Sequence, residues 1–154
     1  MKTIVIASWY FNPLHPGHIE CFELCKALGD EVWVIVNNDY QAKLKTWSDK
    51  TFQDEEYRIK VVSSLKTVDR VMLSIDTGPD QNSDSQPLCQ SFKKIVQLIQ
   101  EAYWSDTKII FGKWGDRFAT NIPEYDVCQE LGIEIKDGLG EKIDSSSVYR
   151  AKRV

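Results

Sequence analysis

The sequence predicts an α/β fold: a five-stranded, mostly parallel sheet with helices on both faces. Three observations lead there. Short, continuous, β-branched apolar runs recur along the chain, as buried strands do. Segments with helical spacing of apolar residues separate them. The alternation persists to the end, so the whole of 1–154 reads as one domain, a length that buries a core without staples.

The elements follow in order. "TIVIA" (Thr3–Ala7) is the first strand. Gly17 to Leu28 is a helix, with Ile19, Phe22 and Cys25 on one face. Gly29 is expected to end it as a left-handed cap. "EVWVIVNN" (Glu31–Asn38) is the second strand, and the polar "DYQAKLKTWSDKT" reads as a loop. A helix over Gln53–Leu65 places Tyr57, Val61 and Leu65 at helical spacing. "DRVMLSI" (Asp69–Ile75) is strand three, and Asp76–Pro87 is a long loop of breakers. Leu88, Phe92, Ile95, Ile99 and Tyr103 mark the next helix, and "TKIIF" (Thr107–Phe111) is strand four. Pro123–Gly132 is a helix with Pro in its first turn and Gly at its end. "IEI" (Ile133–Ile135) is a short fifth strand, and Ser145–Lys152 starts a last helix on a serine cap. Crossovers between parallel strands are right-handed. Ligands of such sheets bind outside the carboxyl ends of the strands, so the loops after Ala7, Asn38, Ile75 and Phe111 are the places to search.

Composition narrows the function. An apolar fraction of 42% and a charged fraction of 27% are those of an ordinary globular protein. No apolar stretch approaches the ~20 residues of a membrane span, and the first ten residues lack a signal-peptide pattern. The expectation is a cytoplasmic protein without a membrane partner. Cys21, Cys25, Cys89 and Cys128 form no C-x-x-C pair and read as inert packing residues. A net charge of −4 argues against nucleic-acid binding. It also means that an anionic substrate needs a local cluster of cations and N–H donors.

Such a cluster is expected in "FNPLHPGH" (Phe11–His18), which holds both histidines of the chain. Residues three apart on a helix share a face, so His15 and His18 can address one ligand. A helix N-terminus offers unpaired N–H groups and about half a positive charge, which suits an anion. Gly17 allows close approach to the backbone, and Pro13 and Pro16 fix the loop. Two exposed histidines or a metal pair are the competing readings. A metal pair lacks a third histidine here.

"SWYFNPLHPGH" resembles the G-T-F-D-x-x-H-x-G-H signature of the cytidylyltransferase-like nucleotidyltransferases, among them glycerol-3-phosphate cytidylyltransferase and the adenylyltransferase of ADP-heptose synthesis. "CKALGDEVWVIVNND", "DEEYRIKVVSSLKTVDRVM", "FGKWGDRF" and "KIDSSSVYR" resemble further family motifs in the same order. This chain departs from the signature at Trp9 and Tyr10, which replace Gly and Thr, and at Asn12, which replaces Asp; Trp114 replaces the first Gly of a K-G-G-D motif.

The resemblance implies a Rossmann-like nucleotidylyl transferase fold and a cytoplasmic homodimer. It also implies that a phosphate monoester attacks the α-phosphorus of a nucleoside triphosphate and expels pyrophosphate. His15, His18, Lys43 and Lys45 are the implied catalytic residues. Nucleotide binding falls to Tyr10, Phe11, Asn12, Gly17, Gly115, Asp116, Arg117, Ser145, Ser146, Ser147 and Arg150. Arg58 is expected either at the acceptor phosphate or paired with Glu55 or Asp54. Lys43 and Lys45, on alternate positions of an extended loop, would face the same way. Mg2+ is expected to be held mainly by the nucleotide's phosphates rather than by protein ligands. The leading expectation is cytidylyl transfer from CTP to a phosphorylated sugar or polyol. Adenylyl transfer from ATP to a sugar phosphate stands second. A nucleotide-binding module without catalysis, and a fragment of a tRNA-charging enzyme, are the rivals from other classes.

Overall fold

The computed structural model describes residues 1–46, 48–77, 89–104, 106–114 and 124–140, and Arg150. Five strands, β1 (Lys2–Trp9), β2 (Glu31–Val36), β3 (Arg70–Leu73), β4 (Thr107–Trp114) and β5 (Glu134–Leu139), form one sheet in the order β3-β2-β1-β4-β5. Every pairing is parallel. The helices are α1 (Pro16–Leu28), α2 (Asp39–Thr46), α3 (Glu55–Ser63), α4 (Gln90–Tyr103) and α5 (Tyr125–Leu131). The strand order runs one way from β1 to β3 and the other way from β1 to β4 and β5. The reversal between β1 and β4 opens a crevice at their carboxyl ends.

The continuous apolar strands are explained by cover on both faces. Ile4, Val5 and Ile6 are fully buried, and successive side chains alternate between two cores. Ile4 and Ile6 join Phe92, Ile95 and Ile99 of α4 and Val127 and Cys128 of α5. Val5 and Ala7 join Cys21, Phe22 and Cys25 of α1 and Val62 of α3. Cys21, Cys25 and Cys128 are buried free thiols. Cys21 at hydrogen-bond distance and burial push the Cys25 thiol up, and burial pushes Cys89 and Cys128 up to about 12. None of the described helices is long and apolar enough to cross a membrane.

Several elements differ from the sequence expectation. The segment after β2 is helix α2 rather than a loop. Its start is a reciprocal cap: the Gln41 N–H donates to Asn38 Oδ1 at 2.9 Å, and the Asn38 N–H to Gln41 Oε1 at 3.0 Å. Gly29 is extended, with φ −156°, not left-handed. It is needed for space, because a Cβ there would lie 2.9 Å from the Thr3 carbonyl oxygen and 3.0 Å from Val5 Cγ2. On α3 the buried residues are Arg58 and Val62, while Tyr57 is 55% exposed. A buried arginine hid the true face from a count of apolar residues. β4 runs on past Phe111 to Trp114, and β5 reaches Leu139. Gly132 ends α5 at φ +68°, the expected left-handed cap.

Helix α4 is capped from a distance. Its own N-cap residue, Cys89, makes no side-chain cap bond. Asp76 instead accepts from the Gln90 N–H at 2.8 Å and the Ser91 N–H at 3.3 Å. Ser91 Oγ in turn accepts from the Ile75 N–H at 2.7 Å and lies 3.0 Å from Ser74 Oγ. This clasp ties the start of α4 to the end of β3.

Candidate active site

The turn from β1 into α1 lies at the reversal of strand order. Phe11 takes φ +53°, and the Asn12–Pro13 peptide bond is cis. His15 and His18 then form a capping box made of imidazoles. The Gly17 N–H donates to His15 Nδ1 at 3.1 Å, and the His15 N–H donates to His18 Nδ1 at 3.3 Å. The rings stack at 3.8 Å between centroids, 24° from parallel, and both are buried. Phe11 meets His18 edge-on at 5.0 Å. Because each Nδ1 accepts, each neutral ring carries its proton on Nε2. The N–H groups of His18 and Ile19 turn back to the His15 carbonyl at 3.0 and 3.3 Å. The Gly17, His18 and Ile19 N–H groups, expected unpaired, find acceptors within the turn.

Three polar side chains set the floor. Asn12 is buried; its Nδ2 donates to Thr51 Oγ1 at 3.0 Å, and its Oδ1 accepts from the Gln53 N–H at 2.9 Å. Arg58 is fully buried. Its guanidinium donates to the carbonyls of Gln53 (2.9 Å), Tyr10 (2.8 Å) and Asn37 (2.6 Å) and to Asp39 Oδ1 (2.8 Å). Neither expectation for Arg58 survives. It is engaged with backbone beneath the site, not placed to receive an acceptor phosphate, and its carboxylate partner is Asp39. Arg150 Nη1 donates to the Asn12 carbonyl at 2.6 Å, which brings this guanidinium to the histidine turn. Burial pushes the Arg150 guanidinium below its ordinary range.

The cations stand beside an aromatic pair. Trp9 and Tyr10 meet edge-on at 5.5 Å. Lys45 Nζ lies 4.0 Å from the centre of the Trp9 ring and 4.2 Å from that of Tyr10. Lys43 and Lys45 do not share an orientation, because they sit two apart on a helix rather than on an extended loop. The sequence reading missed Lys113, which is 4% exposed with Nζ 4.4 Å from the centre of the Trp9 ring. Its signal was its place as the lysine of the K-G-G-D-like stretch "KWGD". Gly115, Asp116, Arg117, Ser145, Ser146 and Ser147 lie outside the described residues.

Residues 10–127 match the model of the cytidylyltransferase-like family. The FAD synthase of Methanocorpusculum labreanum is 30% identical over 147 residues, covering 96% of this chain and 91% of that protein. The FAD synthase of Methanocella arvoryzae is 33% identical over 111 residues, covering 71% of this chain and 72% of that protein. A lipopolysaccharide core biosynthesis protein from Thermoplasma volcanium superposes with a TM-score of 0.58 at 26% identity, over 89% of this chain and 94% of that one. A bifunctional NMN adenylyltransferase/ADP ribose pyrophosphatase from Francisella tularensis shares the fold, with a TM-score of 0.63 at 13% identity over 99% of this chain and 42% of that one.

Proposed function

This chain belongs to the cytidylyltransferase-like family and is a nucleotidyltransferase, and from that premise we propose that it adenylates a flavin mononucleotide. AMP would pass from ATP to the flavin's phosphate, giving FAD and pyrophosphate. The observation that carries this reading is the likeness to an FAD synthase over nearly the full length of both chains. The expectation of CTP with a sugar or polyol phosphate gives way to it. The adenylyl alternative was nearer, although its sugar phosphate acceptor changes too.

The chemistry asks for positioning and charge stabilisation rather than a base. An oxygen of the flavin phosphate attacks the α-phosphorus, and the bond from that phosphorus to the bridging oxygen of the β-phosphate breaks. The attacking phosphate is already an anion, so no proton has to leave it. His15 and His18 donate from Nε2 to phosphate oxygens, where charge grows in the transition state. Their Nδ1 bonds to backbone N–H groups hold the rings in that tautomer. Lys45 supplies a positive charge, and Arg150 fixes the turn through Asn12. The donors at the turn are imidazoles, ammonium groups and a guanidinium, and no group of three or more His, Cys, Asp or Glu able to hold a metal ion occurs among the described residues. A divalent ion such as Mg2+ fits as a companion of the triphosphate, where it would neutralise phosphate charge.

The test is direct. The protein is incubated with ATP, FMN and Mg2+, and FAD and pyrophosphate are quantified by chromatography. Equal formation of both is expected. Cytidylyl transfer from CTP to glycerol 3-phosphate without FAD formation would overturn the reading.

A further inference from the structure

We propose that Asn12 and Thr51 are positioning residues of the nucleotidyl transfer: a closed ring of hydrogen bonds through Gln53 sets where the two imidazoles stand. The inference rests on the role given above to His15 and His18 and adds two residues that hold them in place.

Both ends of the Asn12 amide meet protein groups. Its Oδ1 accepts from the Gln53 N–H at 2.9 Å, and its Nδ2 donates to Thr51 Oγ1 at 3.0 Å. The Thr51 hydroxyl in turn donates to the Gln53 carbonyl at 2.9 Å. Three residues thus close a ring in which every bond has one direction. A backbone N–H only donates, so it fixes which amide atom is the oxygen and leaves Nδ2 toward Thr51. Bonds linked in this way polarise one another. Asn12 is 3% exposed, where an unmatched amide is costly.

The ring joins the histidine turn to α3. Gln53 immediately precedes Asp54, the N-cap of that helix, and its carbonyl also accepts from Arg58 Nε at 2.9 Å. Arg58 Nη1 reaches the Tyr10 carbonyl at 2.8 Å. The chain is therefore moored on both sides of Phe11, by Arg58 at Tyr10 and by the ring at Asn12. Phe11 meets the His18 imidazole edge-on at 5.0 Å, and His15 lies three residues beyond Asn12. A shift of the ring moves the imidazoles against the phosphates they address. Misplacement by about 1 Å, made away from the reacting atoms, can cost about 100-fold in rate. The signature resembled here has Asp where this chain has Asn12. A carboxylate has no hydrogen to give, so Thr51 would have to turn to it and release the Gln53 carbonyl.

The test cuts the ring at Thr51, which bonds to Asn12 and Gln53 and not to a histidine. In the FAD-forming assay, Thr51→Val, shown to be folded by circular dichroism, should lower kcat about tenfold or more while the KM for ATP stays within about threefold. Thr51→Ser keeps the hydroxyl and should restore kcat to within about threefold of wild type. Asn12→Ala should lower kcat as well, and the double variant should lose no more than the worse single one, because both changes open the same ring. A folded Thr51→Val protein with wild-type kcat, or losses that multiply in the double variant, would overturn the proposal.

A second readout needs no acceptor. The chain has two histidines, so NMR of the imidazole C–H groups follows each of them. Both signals should move in Thr51→Val and return in Thr51→Ser. Histidine signals unmoved by Thr51→Val would equally sink the idea. If the wild-type protein forms no FAD, the flavin reading falls, and the histidine signals still decide the role of Asn12 and Thr51.

Discussion

At the amino ends of the strands, backbone N–H donors meet carboxylates. The Thr3 N–H donates to Asp30 Oδ2 at 2.8 Å, and the Val32 N–H to Asp69 Oδ2 at 2.8 Å. Lys26 pairs with that same Asp69, and Lys2 with Glu31. At the carboxyl ends, backbone carbonyls meet guanidinium groups. Arg58 holds the Tyr10 and Asn37 oxygens, and Arg150 holds that of Asn12. A parallel sheet leaves N–H groups at one end and C=O groups at the other, so each end selects side chains of opposite charge. The amino end matches its carboxylates with ammonium groups. At the carboxyl end, the Lys45 and Lys113 ammonium groups lie against the Trp9 ring.

The largest effect should come from breaking the carboxyl end. Arg58→Leu strands three carbonyls and the Asp39 carboxylate, and should cost roughly 3–5 kcal/mol in urea denaturation, the cost of splitting a buried pair. Next comes His18→Ala, which removes one donor to the growing phosphate charge. Turnover should fall about 100- to 1000-fold under saturating substrate. Stability should fall by about 1 kcal/mol as well, because the His15 N–H loses its acceptor. A variant with unimpaired turnover would remove the histidine pair from the mechanism.

The amino end should answer in stability alone. Gly29→Ala forces a methyl against the Thr3 carbonyl and Val5, so a loss of about 1–3 kcal/mol with unchanged KM is expected. The smallest effect belongs to Tyr103→Phe. Burial pushes the Glu31 carboxyl up, but hydrogen bonds from Tyr103, Lys2 and Trp33 outweigh it and hold the group below its ordinary range. A lowered folded-state pKa stabilises the protein above the unfolded value and is lost as pH falls through the folded one. Tyr103→Phe should therefore lower the melting temperature slightly at neutral pH, with the gap narrowing in acid. A gap that widens in acid would contradict this account.

The sheet was legible because its strands are covered on both faces, which makes each one a continuous apolar run. The histidine turn was legible because its breakers follow such a run. Helix α2 was not, since apolar periodicity says little about a helix that buries only Ala42. The usable signal was local, Asn38 followed three residues later by Gln41. Arg58 was placed on the right helix but given the wrong task. Nothing in a residue type tells whether a guanidinium faces substrate or backbone; only the carbonyls converging from Tyr10, Asn37 and Gln53 decide it. Lys113 was given no task because strand four was read as ending at Phe111, and only the structure shows it buried beside Trp9.

The Asp76 clasp has a practical corollary. It fastens the start of α4 to the residues that follow β3. Any redesign of α4 must therefore leave Asp76 in place, because the helix takes its cap from that residue and not from its own N-cap.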